Sequence, residues 1–177
     1  NDSIMDGKKL SGNAQYVSTV ALGGSGIHII ALSKPGKQRS ALPMCAVKNI
    51  QDQDWDPFSK NRLAAVSTDG NVHTWLIPDG ELTSNMRETV GRGNSLKNAL
   101  RGLAWHPSAE NVLAVRSSRN IFVFKMDTDS SAHKEEVSTI DGLFNGDILC
   151  FAWAYDGACL AVTSKDKIVR IIDPRRT

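Results

Sequence analysis

The sequence has few of the residues that form disulfide frameworks, metal centres or catalytic sites. Its three cysteines are an odd number and form no Cys-x-x-Cys pair, so neither a disulfide framework nor a zinc site is indicated. The four histidines lie in separate segments without metal-ligand spacing, and His106, which precedes a proline, is expected in a turn. We therefore expect no cofactor, no metal and no enzymatic activity, with Cys150 and Cys159 as buried, unreactive thiols.

A strong charge bias and a long apolar segment are also missing. The 177 residues carry a formal net charge of +2, which is too small to indicate nucleic acid or an anionic membrane as the main partner. The longest apolar stretch, 17–32, is interrupted by glycines, serines and His28, so we predict no transmembrane segment. The cysteine content is typical of a reduced, cytoplasmic protein.

The sequence does contain a repeat. Trp55, Trp105 and Trp153 are 50 and 48 residues apart, and each ends a short alternating segment. An apolar run, a tight turn and a further alternating segment follow each tryptophan. No apolar stripe recurs at the helical period, and β-branched residues are dense, so the pattern predicts strands. Strands that recur with this spacing predict an all-β propeller. The repeat is slightly longer than the ~40–45 residues of a WD-type blade.

The repeat also predicts how the chain is divided. We expect an irregular segment at 1–14, a partial blade at 15–45, and blades at 46–90, 99–140 and 146–177. The polar loops of the second and third repeats have room for short outer strands near Met86–Val90 and Val137–Ile140. We expect an incomplete ring of about three and a half to four blades, which is unstable alone because each end exposes an apolar blade face.

At several positions the residues resemble a known family. Trp55, the Asp69-Gly70 turn and Trp75 have the spacing of a WD repeat. The Lys-Asp-Lys turn and Ile-Asp-Pro-Arg ending of segment 164–177 resemble a blade of the coronins, and 23–36 resembles the first coronin blade. The segment 55–65 is similar to the long coronins that carry two propellers in tandem.

The resemblance implies a propeller of about seven blades and a non-enzymatic scaffold. Coronins bind actin filaments or actin regulators, so the implied location is the cytoplasm, in association with the cytoskeleton. The remaining blades of a parent protein are further implied partners. The long branch implies an alternative role as a trafficking adaptor at the Golgi or endosomes. A propeller enzyme is the alternative from another class, but the predicted inner strands carry packing residues such as Ala104 and Ala152 in place of converging acids.

Two sets of residues are candidates for a role. The structural repeat positions are Trp55, Trp105 and Trp153 on inner strands, Asp69 and Asp166 in turns, and Trp75. WD repeats often share an Asp–His–Ser/Thr–Trp network, but the usual Gly-His is missing here and Arg119 replaces the middle turn aspartate. Candidate partner-binding residues form a basic cluster, whose members are Lys165, Lys167, Arg170, Arg175 and Arg176.

The basic cluster has two interpretations. Lysine and arginine side chains pair with surface carboxylates, and actin filaments are acidic, which favours partner binding. Alternatively, the cluster is a solvated turn followed by an exposed segment. Lys165 and Lys167 precede the last strand while Arg175 and Arg176 follow it, so we expect them on opposite rims and do not expect one partner to contact all five.

The turn at Arg119 should be the least protected of the three. Short aspartate side chains accept hydrogen bonds from turn amides, as expected for Asp69 and Asp166, whereas an arginine side chain has no acceptor. Amide hydrogen exchange should therefore be fastest in the Arg119 turn. Slower exchange there than in the other two turns would contradict this expectation.

Overall fold

A computed structural model describes residues 7–21, 25–33, 44–79, 98–126 and 134–176. Over these ranges the chain forms β-strands connected by turns and loops. No helix in the described part of the chain is long and apolar enough to cross a membrane.

The strands form four antiparallel sheets that follow one another along the chain. Within each sheet, consecutive strands are neighbours, which is the arrangement of propeller blades and agrees with the predicted all-β propeller. Sheet 1 contains β1 (Leu10–Gly12), β2 (Tyr16–Val20), β3 (Gly26–Ala31) and β4 (Met44–Ala46). Sheet 2 contains β5 (Ile50–Trp55), β6 (Arg62–Ser67) and β7 (Val72–Leu76). Sheet 3 contains β8 (Gly102–Trp105), β9 (Val112–Arg116), β10 (Ile121–Met126) and β11 (Lys134–Ile140). Sheet 4 contains β12 (Ile148–Trp153), β13 (Leu160–Ser164) and β14 (Val169–Ile172).

The sheets share two rims. The hairpin between the second and third strands and the segment that enters each sheet lie at one end, which we call the turn rim. The loop between the first and second strands lies at the other end, which we call the loop rim. In sheets 2 to 4 the turn rim contains 47–49, 68–71, 99–101, 117–120, 141–147 and 165–168, and the loop rim contains 56–61, 77–79, 106–111, 154–159 and 173–176.

The first and third sheets contain strands at or near positions for which the sequence predicts an irregular segment or an outer strand. The irregular segment expected at 1–14 is wrong for residues 10–12, which form β1 and pair with β2. Sheet 1 therefore has four strands, with β1 as the first, and extends to residues before the partial blade that we expected at 15–45. The outer strand expected near Val137–Ile140 is present as the longer β11, which pairs with β10. The outer strand expected near Met86–Val90 lies outside the described residues.

Apolar clusters lie between the sheets. Every side chain from Leu63 to Val66 in β6 is fully buried, because β6 is in the middle of sheet 2 with a neighbouring sheet on each face. Ala65 packs in a cluster with Ile27 of sheet 1, and Ala64 packs with Leu103 of sheet 3. Burial on both faces explains why this strand is a continuous apolar run without alternation.

The three repeated tryptophans occupy equivalent positions. Each is the last residue of the first strand of its sheet, and each is paired with the leucine of the second strand, at Leu63, Leu113 and Leu160 respectively. Each indole N–H donates to the preceding sheet: Trp55 to Ser18 Oγ at 3.0 Å, Trp105 to the Asp54 carbonyl at 3.2 Å, and Trp153 to the Ala104 carbonyl at 3.2 Å. We call this series of inter-sheet bonds the indole ladder.

Removing one member of the indole ladder should open a sheet boundary. Trp105→Ala should lower the free energy of unfolding by about 3–5 kcal/mol, because it leaves a large cavity between sheets 2 and 3. Trp105→Phe keeps most of the packing and should cost less, with loss of one hydrogen bond contributing about 1 kcal/mol. Urea unfolding measures both. Phe58→Ala, at an aromatic that is 43% exposed, is the control, and equal effects of Trp105→Ala and Phe58→Ala would contradict the role of the ladder.

Candidate functional site

The second sheet has a polar network at its hairpin. Ser67 Oγ donates to Asp69 and lies 2.8 Å from His73 Nε2, and the His73 ring stacks on Trp75. Although burial opposes it, hydrogen bonds from Ser67 and Asn71 lower the pKa of Asp69. The histidine of this network is therefore His73 in the third strand, in place of the histidine of the missing Gly-His pair. Gly70 completes the hairpin at a positive φ of 82°, which favours glycine.

The fourth sheet has the same network with arginine in place of histidine. Ser164 Oγ donates to Asp166, and Arg170, at the position equivalent to His73, donates to Asp166 Oδ1 at 3.1 Å and to Ser164 Oγ at 3.2 Å. The bonds from Arg170 and Ser164 hold the pKa of Asp166 far below its usual range. The Arg170 guanidinium also lies over the Phe144 ring, so it ties the hairpin to the segment that enters sheet 4.

The third sheet closes its hairpin differently. Arg119 occupies the position of the turn aspartate, and Ser117 takes over by accepting the Asn120 amide at 3.2 Å. The Ser117 amide also donates to the Asn120 carbonyl. Arg119 itself is exposed at the turn rim.

The five residues of the predicted basic cluster do not form one surface. Lys165 and Lys167 are exposed at the turn rim, and Lys165 forms a 3.0 Å ion pair with Asp147. Arg170 is held inside the sheet 4 network. Arg175 and Arg176 lie at the loop rim, where both pair with Asp173. A single partner on one rim would reach only part of the cluster.

Sheets 2 and 3 are joined at the loop rim by a charged contact that the sequence did not indicate. The side chain of Asp56 is fully buried and forms a 3.0 Å ion pair with Arg62 Nε. Arg62 also donates to Asn111 Oδ1 at 2.6 Å and lies over the Trp105 ring, 5.6 Å from its centroid. One side chain in sheet 2 therefore contacts an acid in its own sheet and two residues in the next sheet.

Asp52 connects the first three sheets near their first strands. Its carboxylate accepts the backbone N–H of Lys8 at 2.7 Å, of Gln53 at 2.9 Å and of Leu103 at 3.0 Å. These donors belong to the segment before β1, to β5 and to β8. Burial raises the pKa of Asp52, although the three amides oppose this shift.

His106 connects sheets 3 and 4. Its Nδ1 accepts the amides of Ser108 and Ala109, which leaves the proton on Nε2 to donate to the Gly157 carbonyl at 3.1 Å. The ring also contacts Trp153, with 4.4 Å between centroids. Gly157 has a positive φ of 75°, and a Cβ there would lie 2.0 Å from the imidazole, so this close approach requires glycine.

Sheet 4 presents an apolar face to solvent. Cys150, Thr163 and Val169 are cross-strand neighbours, and Ala152, Ala161 and Ile171 form the next row of the same face. Val169 and Ile171 are 66% and 68% exposed. We call these six residues the open face. Cys150 is exposed as part of it, so the expectation of a buried thiol at this position is wrong; Cys159 is half-buried.

The open face corresponds to interior surface in the other sheets. In sheet 2 the equivalent positions include Ala64, Val66 and Val72, which are buried against sheet 3. The apolar residues on sheet 4 thus follow the same pattern without a neighbouring sheet among the described residues.

Comparison with known proteins agrees with this architecture. Residues 131–173 match the family model described as WD domain, G-beta repeat. Coronin-2A from Homo sapiens is 31% identical over 183 residues, which cover 98% of this chain and 34% of that protein. Coronin-7 from Mus musculus is 32% identical over 160 residues, which cover 86% of this chain and 16% of that protein. The WD40 domain of Toxoplasma gondii coronin superposes with a TM-score of 0.83 at 23% identity, covering 99% of this chain and 45% of that domain.

The chain is a homologue of the coronins. The predicted family is therefore confirmed. This coronin homologue spans about a third of the length of Coronin-2A and forms part of a WD-repeat propeller. Membership of the WD-repeat group supports a scaffold without enzymatic activity. Among the described residues, no group of three or more histidines, cysteines or acids has the arrangement of a metal site.

Protonation of His106 should weaken the contact between sheets 3 and 4. Burial, aided by the nearby Arg175 guanidinium, lowers the pKa of His106 below its ordinary value of 6.5, although the bond to Gly157 opposes this shift. A base whose folded pKa is lowered gives its full stabilisation above the unfolded pKa and loses it as the pH falls through the window between the two values. The unfolding temperature of this coronin homologue should therefore decrease below about pH 6.5.

The matched variant for this prediction is His106→Asn. The amide oxygen of the substituted side chain would still accept a turn amide, as Asp56 Oδ1 does from Phe58 at 2.8 Å at the equivalent position of sheet 2, but the side chain would not titrate. Thermal unfolding of both proteins between about pH 5 and 8 measures the difference. An identical pH dependence in the two proteins would contradict the assignment to His106.

Proposed function

We propose that this coronin homologue is a non-enzymatic scaffold that binds actin filaments or actin-regulatory proteins in the cytoplasm, in association with the cytoskeleton. The observation that carries the proposal is similarity to coronins over 98% of the chain. The polar residues described above support a scaffold. His73, His106, Asp52 and Asp56 all have structural partners within or between sheets, which leaves recognition to the exposed residues of the two rims.

Co-sedimentation with actin filaments tests this function. The intact protein should pellet with filaments and stay in the supernatant without them, and increasing salt should weaken the binding if charged pairs contribute. Failure to pellet at low salt would contradict the actin proposal. In that case, recovery of the protein with Golgi or endosomal membranes after cell fractionation would favour the trafficking alternative of the long coronins.

We further propose that the open face receives another propeller blade, in keeping with the remaining blades of the longer relatives. In sheets 2 and 3 the residue before the tryptophan, Asp54 or Ala104, offers its carbonyl to the indole of the next sheet. Ala152 is the equivalent residue of sheet 4. A blade with a tryptophan or a similar large side chain at the end of its first strand would cover Val169 and Ile171 and extend the ladder.

The 177-residue chain by itself should therefore self-associate. Burial of an exposed apolar face favours association when no neighbouring blade covers it. Light scattering after size-exclusion chromatography should show oligomers, and replacing both Val169 and Ile171 with lysine should shift them towards monomer. Tyr155→Lys is the control, because this residue is 99% exposed but lies at the loop rim. A compact monomer with cooperative unfolding would contradict the proposal.

A further inference from the structure

The two rims of the sheets differ in charge. At the turn rim of sheets 2 to 4, the exposed or half-exposed cations outnumber the carboxylates among the described residues. The cations are Lys48, Arg101, Arg119, Lys165 and Lys167, and the carboxylates are Asp69, Asp141 and Asp147. At the loop rim the balance is reversed, with Lys60, Arg175 and Arg176 against Asp79, Glu110, Asp156 and Asp173. The internally balanced pairs Asp56–Arg62 and Asp166–Arg170 change neither comparison.

Cations of the turn rim lie on both sides of the boundary between sheets 3 and 4. Lys165 Nζ lies 3.0 Å from Asp147 Oδ2. The hydrogen bond and charge of Lys165 lower the pKa of Asp147, and the charges of Arg101 and Arg119 add to the shift. Three cations from three separate segments thus act on one carboxylate, which leaves the group with a net positive charge.

Backbone contacts hold these segments together. The Ile148 amide donates to the Ser118 carbonyl at 2.7 Å, and the Lys165 amide donates to the Asp147 carbonyl at 2.8 Å. A Cβ on Gly146 would lie 2.9 Å from the Asp166 nitrogen and 3.1 Å from the Lys165 Cβ. The absence of a side chain at this position therefore lets the hairpin that carries Lys165 pack closely against the segment that carries Asp147.

The hairpin of sheet 3 has a cation, Arg119, at its turn position. In sheets 2 and 4 the equivalent turn position is an aspartate, whose carboxylate is used within the hairpin. In sheet 3 the hairpin is closed by Ser117 and the backbone of Asn120, so the substitution replaces an internal acceptor with an outward-facing cation.

We propose that Arg101, Arg119, Lys165 and Lys167 form a docking surface at the turn rim for an acidic segment of a partner protein. A guanidinium pairs with carboxylates in a bidentate manner, and lysines add point charges around it. The surface is specified by the fold, because its members come from the entry segment of sheet 3 and from the hairpins of sheets 3 and 4. This surface is a binding face for the partner in the proposed function. Its assignment rests on that function only where the partner is actin.

A protein segment fits this surface better than a nucleic acid. Asp147 lies beside Lys165, and Asp141 and Asp69 lie on the same rim, so these carboxylates would repel the closely spaced phosphates of a nucleic acid backbone. An acidic protein segment carries carboxylates that are separated by backbone amides. Its carboxylates can pair with the cations, and its amide N–H groups can donate hydrogen bonds to Asp147.

The test uses a short poly-glutamate peptide and actin filaments as separate probes of the intact protein. The variant Arg119→Glu with Lys165→Glu reverses the surface. The control, Arg175→Glu with Arg176→Glu, makes the same change in net charge at the loop rim and likewise disrupts ion pairs with one carboxylate. Circular dichroism and thermal unfolding establish that both variants are folded.

We expect the turn-rim variant to bind the peptide at least about tenfold more weakly than the control does, with the difference decreasing as salt is raised. Equal weakening by both variants, or unchanged binding by the turn-rim variant, would overturn the proposal. So would selective binding of an RNA oligonucleotide or anionic vesicles with no binding of the peptide.

The experiment with actin filaments distinguishes the proposed function from the proposed docking surface. If the unmodified protein pellets with filaments and the turn-rim variant does not, the acidic partner is actin. If both pellet equally, this surface is not the actin-binding face, and the further inference is wrong for actin while the proposed function stands. If the unmodified protein does not pellet, the proposal that it binds actin filaments fails, and the peptide experiment still decides whether the turn rim binds acidic segments.

Discussion

The architecture depends on the contact that each sheet makes with the one before it. A single sheet of three or four short strands has two apolar faces and cannot bury them alone. The indole ladder solves this by placing one large side chain at the end of each first strand, where it packs at the boundary and donates to the preceding sheet. Because the acceptor is a backbone carbonyl in two of the three cases, the contact fixes the position of a neighbouring strand without requiring a particular side chain there.

Polar contacts differ from one boundary to the next. Asp52 links the first three sheets through backbone amides, Arg62 joins sheets 2 and 3, and His106 joins sheets 3 and 4. Buried polar groups are costly unless they are satisfied, so each of these contacts favours one neighbour over another. Because these polar side chains take part in contacts between the sheets, they do not offer a binding site in the interior, and we expect recognition at the two rims.

The strands and the repeat were predictable because apolar runs and evenly spaced tryptophans report burial on both faces directly. β1 was missed because Leu10–Gly12 is short and lacks an apolar alternation; its backbone pairing with β2 holds it in place. The exposure of Cys150 was missed because the sequence of sheet 4 resembles that of covered sheets. The charged group around Asp147 could not be predicted, since Arg101, Arg119 and Lys165 belong to separate segments of the sequence and are placed on the same rim only by the pairing of the strands and by the contacts between sheets 3 and 4.

Hydrogen exchange of the indole N–H groups, followed by NMR on protein labelled with ¹⁵N, tests the central claim most directly. If the ladder holds the sheets together, the indole protons of Trp55, Trp105 and Trp153 should exchange as slowly as the backbone amides in the middle strands of their sheets, because both then require opening of the same boundary. Rapid exchange of the Trp105 indole while the amides of β8 and β9 stay protected would contradict the account, since the boundary would then open without disturbing the sheets.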